Sequence, residues 1–268
     1  MQIAGKTILV SGSSSGLGVA CAMRFLNLGA NVVGLDQSPV PKWFDNWVGP
    51  MDWKARYWHG QADVTSDASV QRVVKEGEAR FGAISGAVCC AGVLFAQRVL
   101  GKDAIGSLED FRKVIDVNLV GTYNVVRHIA KSISETASQE PPAQQVEPAQ
   151  QVEPEQGVIV MTSSIAADEG QIGQCAYSAS KGAIAAMTLP MARELARFGI
   201  RVVSIAPCVF DTPMMQSAPS KVRDPLLNAT VYPKRFGLPD EFAAMVQSVF
   251  ENSMVNAAVI RLDGALRM

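Results

Sequence analysis

Residues 7–18 read Thr-Ile-Leu-Val-Ser-Gly-Ser-Ser-Ser-Gly-Leu-Gly. The apolar run Thr7–Val10 passes into a glycine-rich turn, and Leu17–Leu28 continues with the pattern of a helix. A strand that turns straight into a helix exposes the first helical N–H groups, and the helix dipole favours a pyrophosphate there. Gly12 permits the tight turn, Gly16 lets a ligand approach the backbone, and Gly18 lets the helix sit close on the sheet. The spacing is G-x-x-x-G-x-G, not the more general G-x-G-x-x-G, so the strand–turn–helix context carries the reading.

Outward from this turn, the same alternation fills the chain. Short apolar runs recur at Asn31–Leu35, Ile84–Cys90, Val158–Thr162, Arg201–Ala206 and Val259–Leu262, and a further strand precedes Asp63. Helical patterns lie between them at Asp67–Phe81, Leu108–Thr136, Tyr177–Phe198 and Pro239–Glu251. Short continuous apolar strands alternating with amphipathic helices predict a doubly wound, mainly parallel, seven-stranded sheet with helices on both faces. A single Rossmann domain spans 1–268 in this reading.

Composition narrows the functional classes. Apolar residues make up 48% and charged residues 18% of the 268, which suits a large core. The net charge of −1 gives no strong field for nucleic acid or an anionic membrane. The five cysteines (Cys21, Cys89, Cys90, Cys175, Cys208) form no C-x-x-C pair and are expected to be small, reduced core residues, with no metal site and no disulfide framework. The two histidines, His59 and His128, are expected to be structural. No run approaches the roughly 20 apolar residues of a membrane span, and no leader pattern is evident. An intracellular location is expected from the residues, with the cytoplasm as the default compartment.

Two segments break the rhythm. Gln37–Gly60 carries all four tryptophans. It reads as a local hydrophobic cluster pinning a long loop, with a ligand-facing role as the alternative. Ser138–Gln156 repeats Ala-Gln-Gln-Val-Glu-Pro at 143–148 and 149–154. Such a composition cannot bury a core, so a disordered surface excursion is expected, with partner binding as the alternative.

The chemistry-bearing residues follow the strand order. Asp36 ends the second strand, where an acid accepts hydrogen bonds from an adenosine ribose and repels a 2′-phosphate. No Lys or Arg stands beside it, which favours NAD over NADP; an ordinary strand-end acid is the alternative. Ser164 follows the strand Val158–Met161, and Tyr177 and Lys181 are four positions apart, on one face of a helix. A free tyrosine, with a pKa of about 10, is a poor base near neutrality. The lysine ammonium is expected to stabilise the phenolate, and Tyr177 to exchange a proton with a substrate oxygen that Ser164 also bonds. Asn118 lies in an apolar helical stretch, as a structural hydrogen bonder or a member of this group.

These residues together resemble the short-chain dehydrogenase/reductase family over all but the Gln37–Gly60 and Ser138–Gln156 segments. The resemblance implies a catalytic group of Asn118, Ser164, Tyr177 and Lys181, with Asn118 supporting a water relay to Lys181. It implies NAD held along Ser11, Gly12, Ser14, Gly16, Leu17, Gly18, Asp36, Asp63, Val64, Cys90, Ala91, Gly92, Tyr177, Lys181, Pro207, Val209, Phe210 and Thr212. Substrate meets Ser164, Gln171 and Tyr177. The stretches 169–174, 187–190 and 205–207 and the tail 260–268 resemble the family's branch acting on 3-hydroxyacyl-CoA and on 17β-hydroxysteroids, which implies a homotetramer and a mitochondrial-matrix location. Two departures stand out. The family's Asn-Asn-Ala-Gly reads Cys89-Cys90-Ala91-Gly92, and its Pro-Gly reads Pro207-Cys208.

Substrate choice is expected to rest on a loop at 208–236, where Lys221 and Arg223 either meet a CoA phosphate or are simply solvated. Three functions stay open at this point: a 3-hydroxyacyl-CoA dehydrogenase, a dehydrogenase or reductase for steroids or other carbonyls, and a cofactor-binding scaffold or RNA-processing subunit.

Overall fold

The computed structural model of the chain describes residues 1–268 except 42, 103 and 139–153. Its strands are β1 (Thr7–Ser11), β2 (Asn31–Asp36), β3 (Tyr57–Gln61), β4 (Ile84–Cys89), β5 (Gly157–Thr162), β6 (Ile200–Pro207) and β7 (Val259–Leu262). They form one seven-stranded sheet in the order β3-β2-β1-β4-β5-β6-β7. Every pairing is parallel. The order reverses between β1 and β4, and a crevice opens at the carboxyl ends of the strands at such a switch point.

The helices are α1 (Gly16–Asn27), α2 (Trp43–Asn46), α3 (Asp67–Phe81), α4 (Leu108–Ile115), α5 (Gly121–Ala137), α6 (Cys175–Leu195), α7 (Pro213–Gln216), α8 (Ser220–Ala229) and α9 (Pro239–Glu251). Alternation along β1 sorts the core to the two faces. Leu9 packs with Val70 and Val73 of α3, Ile129 of α5 and Ile184 of α6. Ile8 and Val10 pack with Phe25 of α1 and with Phe242 and Phe250 of α9. The Phe25 and Phe250 rings meet edge-on at 5.0 Å, and burying each contributes about 1.5–3 kcal/mol. Local signals set the ends of α3: the Ser66 hydroxyl accepts from Ser69 N, and Gly82 leaves the helix at φ +77.

Several expected boundaries change. The helix expected over Leu108–Thr136 is interrupted by a π-helical turn at Asp116–Val120, which turns Asn118 fully inward. The tryptophan-bearing connection ends earlier than Gly60, because β3 begins at Tyr57. The 208–236 stretch is not a plain loop; α7 and α8 occupy it, and Pro225 sits within α8. The expectation for Ser138–Gln156 falls mostly outside the described residues. Its far end is anchored, however: Gln156 N donates to Gly199 O at 2.9 Å. Arg201 Nε donates to Glu155 Oε1 at 2.7 Å. Arg201 and Glu155 both have largely covered side chains; the carboxylate supplies the counter-charge such a guanidinium needs, and the carbonyls of Val249, Phe250 and Val255 take its remaining N–H groups.

Candidate active site

The cavity at the carboxyl ends of the strands measures about 1040 Å³. Gly12, Gly16, Leu17, Asp36, Asp63, Val64, Cys90, Ala91 and Gly92 line its nucleotide side. Ser164, Gln171, Tyr177, Lys181, Pro207, Val209, Phe210 and Thr212 line the rest. Ser11, Ser14, Gly18 and Asn118 stand behind this lining.

Those four do other work. Ser11 Oγ accepts from Ala91 N at 3.3 Å, tying β1 to the turn after β4. A Cβ on Gly18 would lie 2.1 Å from Gly12 O. The close approach that needs this glycine is therefore to its own turn rather than to the sheet. Ser14 N donates to Asp36 Oδ2 at 3.1 Å, and Ser38 N donates to Asp36 Oδ1 at 2.9 Å. The carboxylate at the end of β2 is thus gripped on both oxygens by backbone.

Asn118 bridges three elements. It accepts from Val93 N at 2.7 Å and donates to Val93 O at 2.9 Å. Its amide also donates to Ser180 Oγ at 3.1 Å. Ser180 in turn donates to Tyr177 O at 2.7 Å, so the π-helical turn steadies the first turn of α6. A Cβ on Gly92 would fall 3.2 Å from Asn118 Oδ1 and 3.7 Å from Lys181 Nζ, so glycine keeps that wall open.

Tyr177 and Lys181 share one face of α6 as their spacing predicts, and Ser164, just beyond β5, lines the same cavity. Lys181 is buried, its Nζ 5.6 Å from the centroid of the Tyr177 ring. It donates to Thr162 O at 2.7 Å. Burial pulls the Lys181 ammonium down to about 8, against smaller opposing effects of Cys90 and Cys89. Burial also raises the Tyr177 phenol, and a hydrogen bond with Ser164 opposes it. This corrects the expectation that Lys181 holds the phenol low. Here desolvation dominates, because the ammonium is directed to the Thr162 carbonyl.

The cysteine expectation holds for Cys21 and Cys89 and fails for Cys175, which is exposed; all five are free thiols. Cys90 sits against Thr162, whose hydroxyl reaches its sulfur at 3.7 Å. Cys208 lines the cavity edge, its thiol directed to Val209 O at 3.7 Å. Both histidines have bonded rings, His59 to Tyr57 and Ser38 and His128 to Asp67. Among the described residues no group of three or more His, Cys, Asp or Glu is placed to hold a metal ion.

Lys221 and Arg223 do not line the cavity. Arg223 stacks over the Phe236 ring at 5.7 Å. The cations that do line it are Arg112 and Lys113 of α4, beside Lys181. They lacked any motif in the sequence; only the amphipathic spacing of α4 hinted that one face points inward. Three of the four tryptophans cluster as expected, Trp43 with Trp47 and Trp53. Trp58 instead lies on β3, under the Arg80 guanidinium at 5.3 Å.

The glycine turn fits a dinucleotide. The Ser14 hydroxyl is buried in it with no hydrogen-bond partner, and a Cβ on Gly16 would crowd Thr212 Cγ2 at 3.3 Å across the cavity. Glycine at φ +54 thus lets the turn pack close to Thr212 while the first N–H groups of α1 are left for a ligand's phosphates.

A sheet with this strand order, a glycine turn at its switch point and a Ser–Tyr–Lys group at its carboxyl edge define a nicotinamide-dependent oxidoreductase. Residues 6–223 match the short chain dehydrogenase family, and the chain belongs to it. It is 43% identical to 3-hydroxyacyl-CoA dehydrogenase type-2 of Bos taurus, covering 100% of this chain and 97% of that one. The Drosophila melanogaster protein of the same name is 42% identical over 97% of this chain and 96% of its own. The crystal structure of 3-hydroxyacyl-CoA dehydrogenase type-2 from Mycobacterium avium superposes with a TM-score of 0.83 at 35% identity, covering 98% of this chain and 96% of that one. Among the described residues no helix is long and apolar enough to cross a membrane.

Proposed function

We propose that the protein interconverts 3-hydroxyacyl-CoA and 3-ketoacyl-CoA with NAD as its cofactor. The observation that carries this is the meeting of Ser164, Tyr177 and Lys181 in one cavity with the clamped Asp36. The likeness to the type-2 dehydrogenases supports the substrate class.

When bound, the nicotinamide supplies the hydride acceptor or donor. The chain's own residues handle orientation and the proton. Gly12, Gly16 and Leu17 would receive the pyrophosphate at the start of α1, and Asp36 the adenosine ribose, where its charge disfavours a 2′-phosphate. Asp63 and Val64 would flank the adenine. Cys90, Ala91, Gly92, Pro207, Val209, Phe210 and Thr212 would enclose the nicotinamide half, with Ser11, Ser14 and Gly18 fixing the turn from behind.

In the oxidation, the Tyr177 phenolate takes the proton of the substrate hydroxyl while Ser164 donates to the same oxygen. In the reduction, Tyr177 returns that proton. Lys181 stays mostly protonated at neutral pH, since burial brings it only to about 8. Its charge opposes the cost of forming the phenolate as the reaction proceeds. Asn118 holds the helical turn that faces Lys181 and is the point where a relay to solvent would start. Gln171 and the 208–236 segment border the substrate side.

A homotetramer and a mitochondrial-matrix location belong to the same proposal, on the sequence resemblance alone. The test is direct: enzyme mixed with acetoacetyl-CoA and NADH should deplete NADH absorbance in proportion to enzyme, and much more slowly with NADPH. No depletion with either cofactor at high enzyme would remove the proposal.

A further inference from the structure

The peptide group joining Ser13 to Ser14 is held at both of its polar ends. On one side Ser14 N donates to Asp36 Oδ2 at 3.1 Å. On the other, the indole N–H of Trp43 donates to Ser13 O at 3.1 Å. The two atoms belong to one planar unit, so rotating it breaks both contacts together. Trp43 therefore acts on Asp36 although it does not line the cavity.

Trp43 is itself fixed. Its ring stands 5.0 Å from Tyr57 and 5.8 Å from Trp53, both buried. Tyr57 continues the brace. A Cβ on Gly34 would lie 2.4 Å from the Tyr57 hydroxyl and 2.7 Å from Ser13 Oγ, so the bare Cα of β2 is what lets both side chains lie over it. Tyr57 Oη lies 3.4 Å from His59 Nδ1, and His59 Nε2 lies 2.9 Å from Ser38 O. Ser38 N then returns to Asp36 Oδ1 at 2.9 Å. The aromatic segment thus reaches the carboxylate from both directions.

We propose that Trp43 is a positioning residue for the dinucleotide: by holding the Ser13 carbonyl it sets the Ser13–Ser14 peptide, and through it the Asp36 carboxylate, in the orientation that binds the adenosine ribose and discriminates against a 2′-phosphate. This rests on the reading of the cavity as a dinucleotide site. It assigns a purpose to the tryptophan-rich segment, which the reaction itself does not use.

Dissociation constants for NADH and NADPH, read by titration of cofactor fluorescence, test it in the unaltered protein and in Trp43→Phe and Trp47→Phe. Trp43→Phe keeps a ring in the cluster and removes the donor. It should weaken NADH about three- to tenfold, the worth of one neutral hydrogen bond, and narrow the NADH-over-NADPH preference. Turnover at saturating cofactor and KM for acetoacetyl-CoA should stay within about twofold. Trp47→Phe, altered in the same cluster, should leave NADH affinity within about twofold.

Unchanged NADH affinity in Trp43→Phe overturns the inference, as does an equal loss in Trp47→Phe, which would make the effect one of general packing. An unaltered protein that binds neither cofactor overturns the dinucleotide reading itself, a separate outcome. If Trp43→Phe does not fold, the indole N–H of Trp43 in the unaltered protein decides. Its NMR signal, assigned by elimination with Trp47→Phe, Trp53→Phe and Trp58→Phe, should exchange slowly and more slowly still with NADH. Fast exchange in both states overturns the inference.

Discussion

The two ends of the cavity are built on opposite principles. At the nucleotide end the groups that matter are backbone: bare glycines, two N–H groups on Asp36, and one peptide braced from outside by an aromatic cluster. At the reaction end they are side chains whose ionised forms are made costly. Burial pulls Lys181 down to about 8 and pushes Tyr177 up. Shape binds at one end, and poised protons react at the other. A fault at the first should appear in cofactor affinity, and a fault at the second in turnover.

Four measurements sharpen or break this contrast. Tyr177→Phe should lower kcat about 10²- to 10⁴-fold, the usual worth of a positioned acid–base group, while the NADH dissociation constant changes little. A large loss of NADH affinity in that variant would mean the two ends are not separable.

Lys181→Met comes next, and its signature is a pH dependence. The native ammonium titrates near 8 and the unfolded one near 10.5, so between these values the unfolded chain binds more protons. Stability of the unaltered protein must therefore rise with pH across that window, relative to Lys181→Met, by up to about 3 kcal/mol. Chemical denaturation at pH 7 and pH 10 reads the difference. A gap that does not change would show that Lys181 is not held as an unfavourable buried charge.

Gly18→Ala should cost about 1–3 kcal/mol by overpacking, since its Cβ would fall 2.1 Å from Gly12 O. Its melting temperature should drop, and NADH affinity should fall with it because the same turn is displaced. Smallest is Asp36→Ser. It should reduce the kcat/KM preference for NADH over NADPH by roughly tenfold, about 1.4 kcal/mol, with little change in fold stability. An unaltered preference would take selectivity away from this carboxylate.

The same contrast explains what was legible beforehand. Tyr177 and Lys181 share a helix, so their juxtaposition follows from a four-residue spacing. The glycine turn declared itself because β1, turn and α1 are contiguous in sequence. Asp36 was placed by its position at a strand end. By contrast, Trp43 meets Ser13 across 30 positions, and no local pattern announces such a contact. Arg112 and Lys113 reach the cavity only through the way α4 docks. The π-helical turn was also hidden, because nothing in Asp116–Val120 marks where a helix widens; the bonds of Asn118 to Val93 and Ser180 accompany it, and these are tertiary. The raised Tyr177 phenol was missed for a related reason: spacing shows that an ammonium is near, and only packing shows where it is aimed.

The anchor of Glu155 on Arg201 lies at the amino ends of β5 and β6, the sheet edge opposite the cavity. Glu155 and Gln156 are thereby fixed just before β5, by Arg201 and by Gly199 O. Cutting this anchor with Glu155→Gln should therefore lower the melting temperature, since it strips a covered guanidinium of its counter-charge, and leave cofactor titrations and turnover as they were.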